Sequence, residues 1–290
     1  MKKLMGFNFS GNRGILVTIA ALALMVMVSA CTGGKKEAAN ELDKIKQAGK
    51  IRIGVFADKH PFGYVDENGV FQGYDVYFAH RIAKDLLGDE NAIDFVTVEP
   101  ASRVEHLESD KVDIILANFT VTPARAEVVD FALPYMKVSL GVVSPTSAAI
   151  TDVSQLQGKK LLIIKGTTAE TYFTEKHPEI ELVKFDQISE AFAALKDGRG
   201  DALSQDNTLL FAWAIQNPGF TAGIGSIGSL DTIAPAVRKG NKVLLDWLNN
   251  EISSQLGDTF FHDDYNATLL PVYGGSVDPE SVVVERGVVK

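Results

Sequence analysis

The sequence predicts an α/β protein built as two similar lobes, and two observations carry that expectation. Short β-branched runs alternate with segments whose apolar residues recur at helical spacing, the pattern of βαβ units around mainly parallel sheets. A helix–turn–strand passage in the first half, Leu107-Glu108-Ser109-Asp110-Lys111-Val112-Asp113, is matched step for step by Leu195-Lys196-Asp197-Gly198-Arg199-Gly200-Asp201 in the second. Carried onward, the same register sets Asn118 and Thr120 opposite Asp206 and Thr208. Polar residues just past a strand's carboxyl end are where open α/β sheets bind ligands.

In chain order, Lys2, Lys3 and Arg13 precede an apolar run from Ile15 to Ala30, which ends in Val28-Ser29-Ala30-Cys31. That is the layout of a signal peptide over residues 1–30 with a small-residue cleavage site. The run falls short of the ~20 apolar residues a membrane-spanning helix needs. Cys31, the only cysteine, stands where it stops. The motif resembles the bacterial lipobox, in which the cysteine is lipidated and becomes the first mature residue. Acyl chains there would anchor the protein, since each buried methylene contributes ~0.8 kcal/mol. Residues 31–41 read as a flexible tether, so the body begins near Leu42. It would lie outside the cytoplasmic membrane, in the periplasm or at the cell surface.

Lys50 to Phe56 is a strand, and Asn68-Gly69 within Tyr64 to Tyr74 is a hairpin turn. Val76, Ala79, Ile82, Ala83, Leu86 and Leu87 mark a helix with Asp75 as N-cap and Gly88 as its stop. Ala92 to Val98, Val112 to Ala117 and Val138 to Val143 are further strands, with a helix over Arg103 to Ser109. The second half supplies strands at Lys160 to Ile164, Glu181 to Phe185 and around Ala202 to Leu203. Its helices run over Ala169 to Glu175, Ser189 to Leu195 and Thr208 to Asn217.

Composition removes several functions. With 46% apolar and 22% charged residues the chain is globular rather than disordered. Its formal charge of −9 and its lack of any basic cluster argue against nucleic-acid binding. One cysteine permits no internal disulfide and no multi-cysteine zinc site. His60, His80, His106, His177 and His262 form no i,i+4 pair, and no G-x-S-x-G elbow occurs. Gly223-Ile224-Gly225-Ser226-Ile227-Gly228 matches the dinucleotide fingerprint in letters, but Ser229 to Pro235 does not read as the helix that must receive a pyrophosphate. No metal or cofactor is called for.

The passage Ala117-Asn118-Phe119-Thr120-Val121-Thr122-Pro123-Ala124-Arg125 points elsewhere. A strand empties into two hydroxyls, then a proline suited to position N1, then an arginine in the helix's first turn, where the macrodipole disfavours it. A carboxylate ligand would favour it, gripped bidentately by Arg125 with Thr120 and loop amides adding hydrogen bonds. The competing reading is a surface arginine paired with Glu127 or Asp130. Gly166-Thr167-Thr168-Ala169 offers a second set of amides and hydroxyls. Asp206 sets a carboxylate at the matching place in the other lobe, where it would otherwise be a helix cap. Arginine, threonines and aspartate together suit an α-carboxylate and an α-ammonium, so the expected ligand is a free amino acid.

These same residues resemble the bacterial extracellular solute-binding proteins of family 3, the polar amino-acid receptors of ABC importers, from Leu42 to about Tyr273. Ile51-Arg52-Ile53-Gly54-Val55, Pro61-Phe62, Gly73-Tyr74-Asp75-Val76, Lys111-Val112-Asp113, Thr120 to Arg125, Asp130-Phe131, Pro134-Tyr135, Gly166-Thr167-Thr168 and Asp206 carry the likeness. The resemblance implies a type II periplasmic-binding-protein fold, with two Rossmann-like lobes joined by a two-segment hinge. A larger lobe would take residues 42–137 and 237–290, and a smaller one 142–232. Hinge segments would lie near Lys137 to Gly141 and Thr232 to Val237. It also implies that Arg125 and Thr120 hold the ligand carboxylate, Thr168 assists and Asp206 holds the amine. The partners it implies are an ABC permease with its ATPase, around a receptor expected to be monomeric.

Within the family the chain looks closest to cysteine-binding members, through Lys59 to Asp66, Arg103-Val104-Glu105, Asp206 to Trp213 and Leu270 to Gly274. Basic amino-acid binders carry an acid in place of Phe56 and an aromatic in place of Lys59. By the resemblance Arg103 lines the side-chain end of the pocket with Lys59 nearby, and Phe56 and Tyr64 supply an apolar wall. Cysteine is therefore favoured over aspartate or glutamate. A dehydratase on the same fold is the enzymatic alternative, for which Glu99, Glu105 or Asp58 would have to act.

Overall fold

A computed structural model describes Gly6 and residues 40–289. The expected signal peptide, the lipidation site Cys31 and the tether as far as Ala39 lie outside the described residues. The described body opens with helix α1 (Glu41–Ala48). Asn40 caps it by accepting from the Asp43 amide at 3.0 Å, and Gly49 at φ 69° ends it.

The first lobe continues through β1 (Ile51–Val55), a small antiparallel sheet of β2 (Asp58–Lys59), β3 (Gly63–Val65) and β4 (Phe71–Gln72), then α2 (Tyr74–Leu87), β5 (Ile93–Thr97), α3 (Arg103–Glu108), β6 (Ile114–Ile115), α4 (Pro123–Val128) and β7 (Val129–Phe131). On β8 (Met136–Pro145) the chain crosses into the second lobe. There it forms β9 (Lys160–Ile164), α5 (Thr168–Lys176), β10 (Glu181–Phe185), α6 (Ile188–Lys196), β11 (Ala202–Asp206), α7 (Asn207–Gln216) and β12 (Phe220–Ile233). It returns as β13 (Ala236–Arg238) and a C-terminal helical run that starts with α8 (Lys242–Asn250).

One sheet has the order β5-β1-β6-β13-β7 and the other β10-β9-β11-β8-β12. In each, one strand (β1 or β9) pairs in parallel with two neighbours, and a strand next to the lobe crossing (β13 or β8) pairs antiparallel on both sides. This is the α/β, two-lobed architecture expected of the sequence. Where the chain passes between lobes, β8 and β12 run side by side, with Lys137 opposite Thr232 and Met136 opposite Ile233. Gly223 to Gly228 lies inside β12, so the fingerprint is strand. A Cβ on Gly223 would stand 2.2 Å from the Ile150 carbonyl oxygen, a close backbone approach that requires glycine there.

The internal match holds bond for bond. Amides of Ser109, Asp110 and Lys111 donate to the carbonyls of Glu105, Leu107 and His106; those of Asp197, Gly198 and Arg199 donate to Ala193, Leu195 and Ala194. Asp110 (φ 55°) and Gly198 (φ 70°) both take the left-handed conformation that turns helix into strand. Asp113 then exchanges backbone and carboxylate bonds with the Arg52 peptide, 2.8 Å each way, as Asp201 does with Lys160 at 2.9 and 2.8 Å. Each aspartate thereby pins its strand to the first strand of its lobe.

The start of α2 differs from the expected one. Gly73 is the N-cap, at φ 114°, because a Cβ there would meet the Phe62 carbonyl oxygen at 2.4 Å. Asp75 lies inside the first turn, fully buried, accepting from the Tyr135 hydroxyl at 2.5 Å and the Asn118 amide at 2.9 Å. Burial pushes its carboxyl up to about 6 against the pull of Tyr135, Lys59 and Arg103.

The two pinning aspartates differ in exposure, 3% for the Asp113 side chain and 44% for Asp201. Asp113→Ala strands a buried amide and should lower unfolding free energy by ~1–3 kcal/mol, whereas Asp201→Ala should cost under ~1 kcal/mol. Urea unfolding of the two variants measures the difference.

Candidate functional site

Between the two sheets lies a small cavity, lined by Phe56, Lys59, Pro100, Arg103, Asn118, Thr120 and Arg125 from the first lobe and Thr167, Thr168, Ile188, Gln205 and Asp206 from the second. The carboxyl ends of β6 and β11 deliver Asn118 and Asp206 to opposite walls, as the repeat requires. Asn118 adopts φ 47°, a conformation that asparagine tolerates better than most residues. Its side-chain oxygen is buried without a hydrogen-bond partner. Thr120 lines the cavity, but its counterpart Thr208 does not.

Arg125 is drawn inward, not outward to Glu127 or Asp130. Thr122 caps α4, accepting from the Arg125 amide at 3.2 Å, with Pro123 at N1 as expected. The guanidinium donates to the Thr120 carbonyl at 2.7 Å and, across the cleft, to the Gly166 carbonyl at 2.8 Å. Arg103, 3% exposed, donates to the carbonyls of Pro100, Ala117 and Asn118 and reaches the same Gly166 oxygen at 3.2 Å. Both guanidiniums lie over the Phe119 ring, at 4.3 Å for Arg103 and 4.7 Å for Arg125. Desolvation lowers the Arg125 pKa to about 10. Burial, then repulsion from Arg125, pulls Arg103 well below its ordinary value.

Asp206 makes no capping bond to α7. Its carboxylate instead holds Lys59 Nζ at 2.6 Å in an ion pair that spans the cleft, both side chains at most 5% exposed. Lys59 also lies over the rings of Phe56 and Phe62, at 5.5 and 5.8 Å. Thr167 spends its hydroxyl on capping α5, accepting from the Glu170 amide and donating to the Ile164 carbonyl, which leaves Thr168 at the cavity.

Tyr64 is the expected wall residue that the structure does not place there. Lys59 pairs with Gly63 in the hairpin, so strand alternation turns Tyr64 to the other face, where its ring meets His60 at 4.5 Å. Conversely, Phe119, Pro100, Ile188 and Gln205 escaped the sequence reading. Phe119 carried a signal, an aromatic between two polar site residues; the others reach the cavity only through the meeting of lobes. His262 is held between Glu280 at 3.0 Å and Glu285 at 2.8 Å.

Two α/β lobes meeting over a small cavity of fixed charges define a bilobal receptor for a small polar ligand. The model of the bacterial extracellular solute-binding proteins, family 3, matches residues 51–260, and the chain belongs to that family. The crystal structure of a solute receptor for L-cysteine from Neisseria gonorrhoeae is similar at 57% identity and a TM-score of 0.83, covering 84% of this chain and 99% of that one. A cysteine-binding protein from Campylobacter jejuni is similar at 57% identity and a TM-score of 0.84, covering 85% and 100%. The glutamine-binding protein of a Bacillus subtilis ABC transporter is 32% identical over 258 residues, 86% of this chain and 94% of that protein.

At Gly166 (φ 74°) a Cβ would stand 2.5 Å from Ala101 Cα and 2.6 Å from its nitrogen, across the cleft. Gly166→Ala should therefore part the lobes here and release both arginines from the shared carbonyl. Small-angle X-ray scattering should show a larger radius of gyration than wild type; an unchanged radius would mean that the turn yields instead.

Proposed function

We propose that this chain is the receptor of an amino-acid ABC importer and that its cleft takes a free L-amino acid, L-cysteine before others. The observation that carries the reading is the placement of Arg125 and Asp206 on opposite walls of one small cavity, an anion-seeking group facing a carboxylate. In this reading the ligand carboxylate takes the Arg125 guanidinium with help from Thr120, Thr168 and Asn118. The ammonium joins Lys59 on Asp206, whose Oδ1 is not engaged by Lys59. What favours cysteine is the high likeness to the gonococcal and campylobacter receptors, against a much lower likeness to the glutamine-binding relative.

The lobes, 42–137 with 237–290 and 142–232, move about the paired segments of β8 and β12 near Lys137 to Gly141 and Thr232 to Val237, so that a permease and its ATPase distinguish loaded from empty receptor. The receptor is monomeric, carries a signal peptide over 1–30 and is anchored by lipid at Cys31. The reading is a receptor rather than an enzyme, supported by the cavity lining: among the described residues its carboxylate is Asp206, already held by Lys59, and Glu99, Glu105 and Asp58 do not line it. A dehydratase would need a free general acid or base there.

Isothermal titration should give tight binding of L-cysteine and weaker binding of L-serine, L-aspartate and L-glutamine; tight aspartate binding without heat from reduced cysteine would overturn the ligand choice. Arg125→Ala should weaken binding at least a hundredfold, the ~3–5 kcal/mol cost of removing one partner from a desolvated charged pair. In cells, Cys31→Ser should abolish labelling by radioactive palmitate while the purified protein still binds ligand.

A further inference from the structure

Arg125 is given to the ligand carboxylate, and that leaves Arg103 without an anion. Its N–H groups are spent on the carbonyls of Pro100, Ala117, Asn118 and Gly166. Carbonyls satisfy donors but cancel no charge. Among the described residues, no carboxylate lies within ion-pair distance of either guanidinium, while Lys59 is matched by Asp206. The charged groups facing the cavity are Lys59 from β2, Arg103 from α3, Arg125 from α4 and Asp206 from β11, with Asp75 and its partner Tyr135 behind Asn118 and Asp231 of β12 acting on Arg125. Lys59 is matched by Asp206 and Asp231 acts on Arg125, so Arg103 is the buried cation of the site that touches no carboxylate among the described residues.

A neutral zwitterion that gives its carboxylate to Arg125 leaves Arg103 without an anionic contact. A ligand of net charge −1 supplies the missing contact, provided its second anionic group comes to Arg103. The surroundings strengthen the demand, because Phe56 and Phe119 lie against this guanidinium, at 5.6 and 4.3 Å, and keep water from it. Guanidinium is weakly hydrated and delocalised, a suitable partner for a large, soft anion.

We propose that the site binds L-cysteine as its thiolate, with the sulfur against Arg103, so that each molecule captured at neutral pH leaves its thiol proton in the solvent. The inference rests on the cysteine reading above. In the step, the S–H bond breaks heterolytically, the electron pair stays on sulfur, and the proton passes to water and then to buffer. Nearby positive charge is what lowers a thiol pKa, and here the protein holds that charge ready before the ligand arrives. Asp75, at about 6, is largely ionised at pH 7 and above, so its own titration contributes little in that range.

The test is calorimetry of wild-type protein with reduced L-cysteine at pH 7.0 in two buffers of different ionisation enthalpy. About one proton should be released per ligand bound, since a thiol with pKa ≈ 8.5 is almost wholly protonated in free solution at that pH. The dissociation constant should fall roughly eightfold between pH 7.0 and 8.0, as the thiolate fraction rises. S-methyl-L-cysteine, which has no thiol proton, should bind at least tenfold more weakly, with heats independent of buffer. Cysteine binding without proton release, or with an affinity flat over this range, overturns this inference and leaves the cysteine reading standing. Equal proton release with the S-methyl compound also overturns it, because the proton then comes from the protein or the ammonium. Absence of cysteine binding in both buffers overturns the two together.

Discussion

The carbonyl oxygen of Gly166 accepts from Arg125 and Arg103 of the opposite lobe at once, and the rest of the site depends on that convergence. Two guanidiniums brought together repel, and burial adds to the cost. The arrangement stands because backbone carbonyls take their donors and the Phe119 ring lies under both. Holding the oxygen in reach requires the turn before α5 to press against Ala101, which only a residue without Cβ permits. Closure of the lobes, orientation of the arginines and the choice of glycine are thus one constraint seen from three sides.

The ion pair of Lys59 with Asp206 has the opposite character. It joins the lobes with charges that cancel, and it keeps a buried carboxylate partnered. On the proposed reading, an incoming ammonium would not desolvate a bare aspartate; it would join an existing contact. That would lower the reorganisation needed on binding, and affinity would then depend on how well two cations share one carboxylate.

Local pattern made much of this legible in the sequence. The helix and strand rhythm, the repeat around Asp113 and Asp201, and the residues at the ends of β6 and β11 all follow from short-range chemistry: periodicity, a left-handed turn residue, a strand's open end. Tyr64 was misplaced because one residue of hairpin register decides which face a side chain takes. Asp75 was misread because a buried aspartate in a helix's first turn has the same letter as a cap, and only Tyr135, some sixty positions away in the chain, distinguishes them. The roles of Pro100, Ile188 and Gly166 arise where separate lobes touch, and local sequence carries no trace of such contacts.

Strand order has a consequence for how the chain is completed. Strands β8 to β12 of the second sheet are consecutive in sequence, so that sheet can close once residue 233 has been made. The first sheet cannot: β7 is joined to β6 only through β13, at residues 236–238. During synthesis from the N-terminus, the lobe begun first is therefore finished last. Until then Ile114–Ile115 and Val129–Phe131 lack the strand that lies between them, and a chain cut short before β13 would carry an intact second lobe beside a sheet open at its centre.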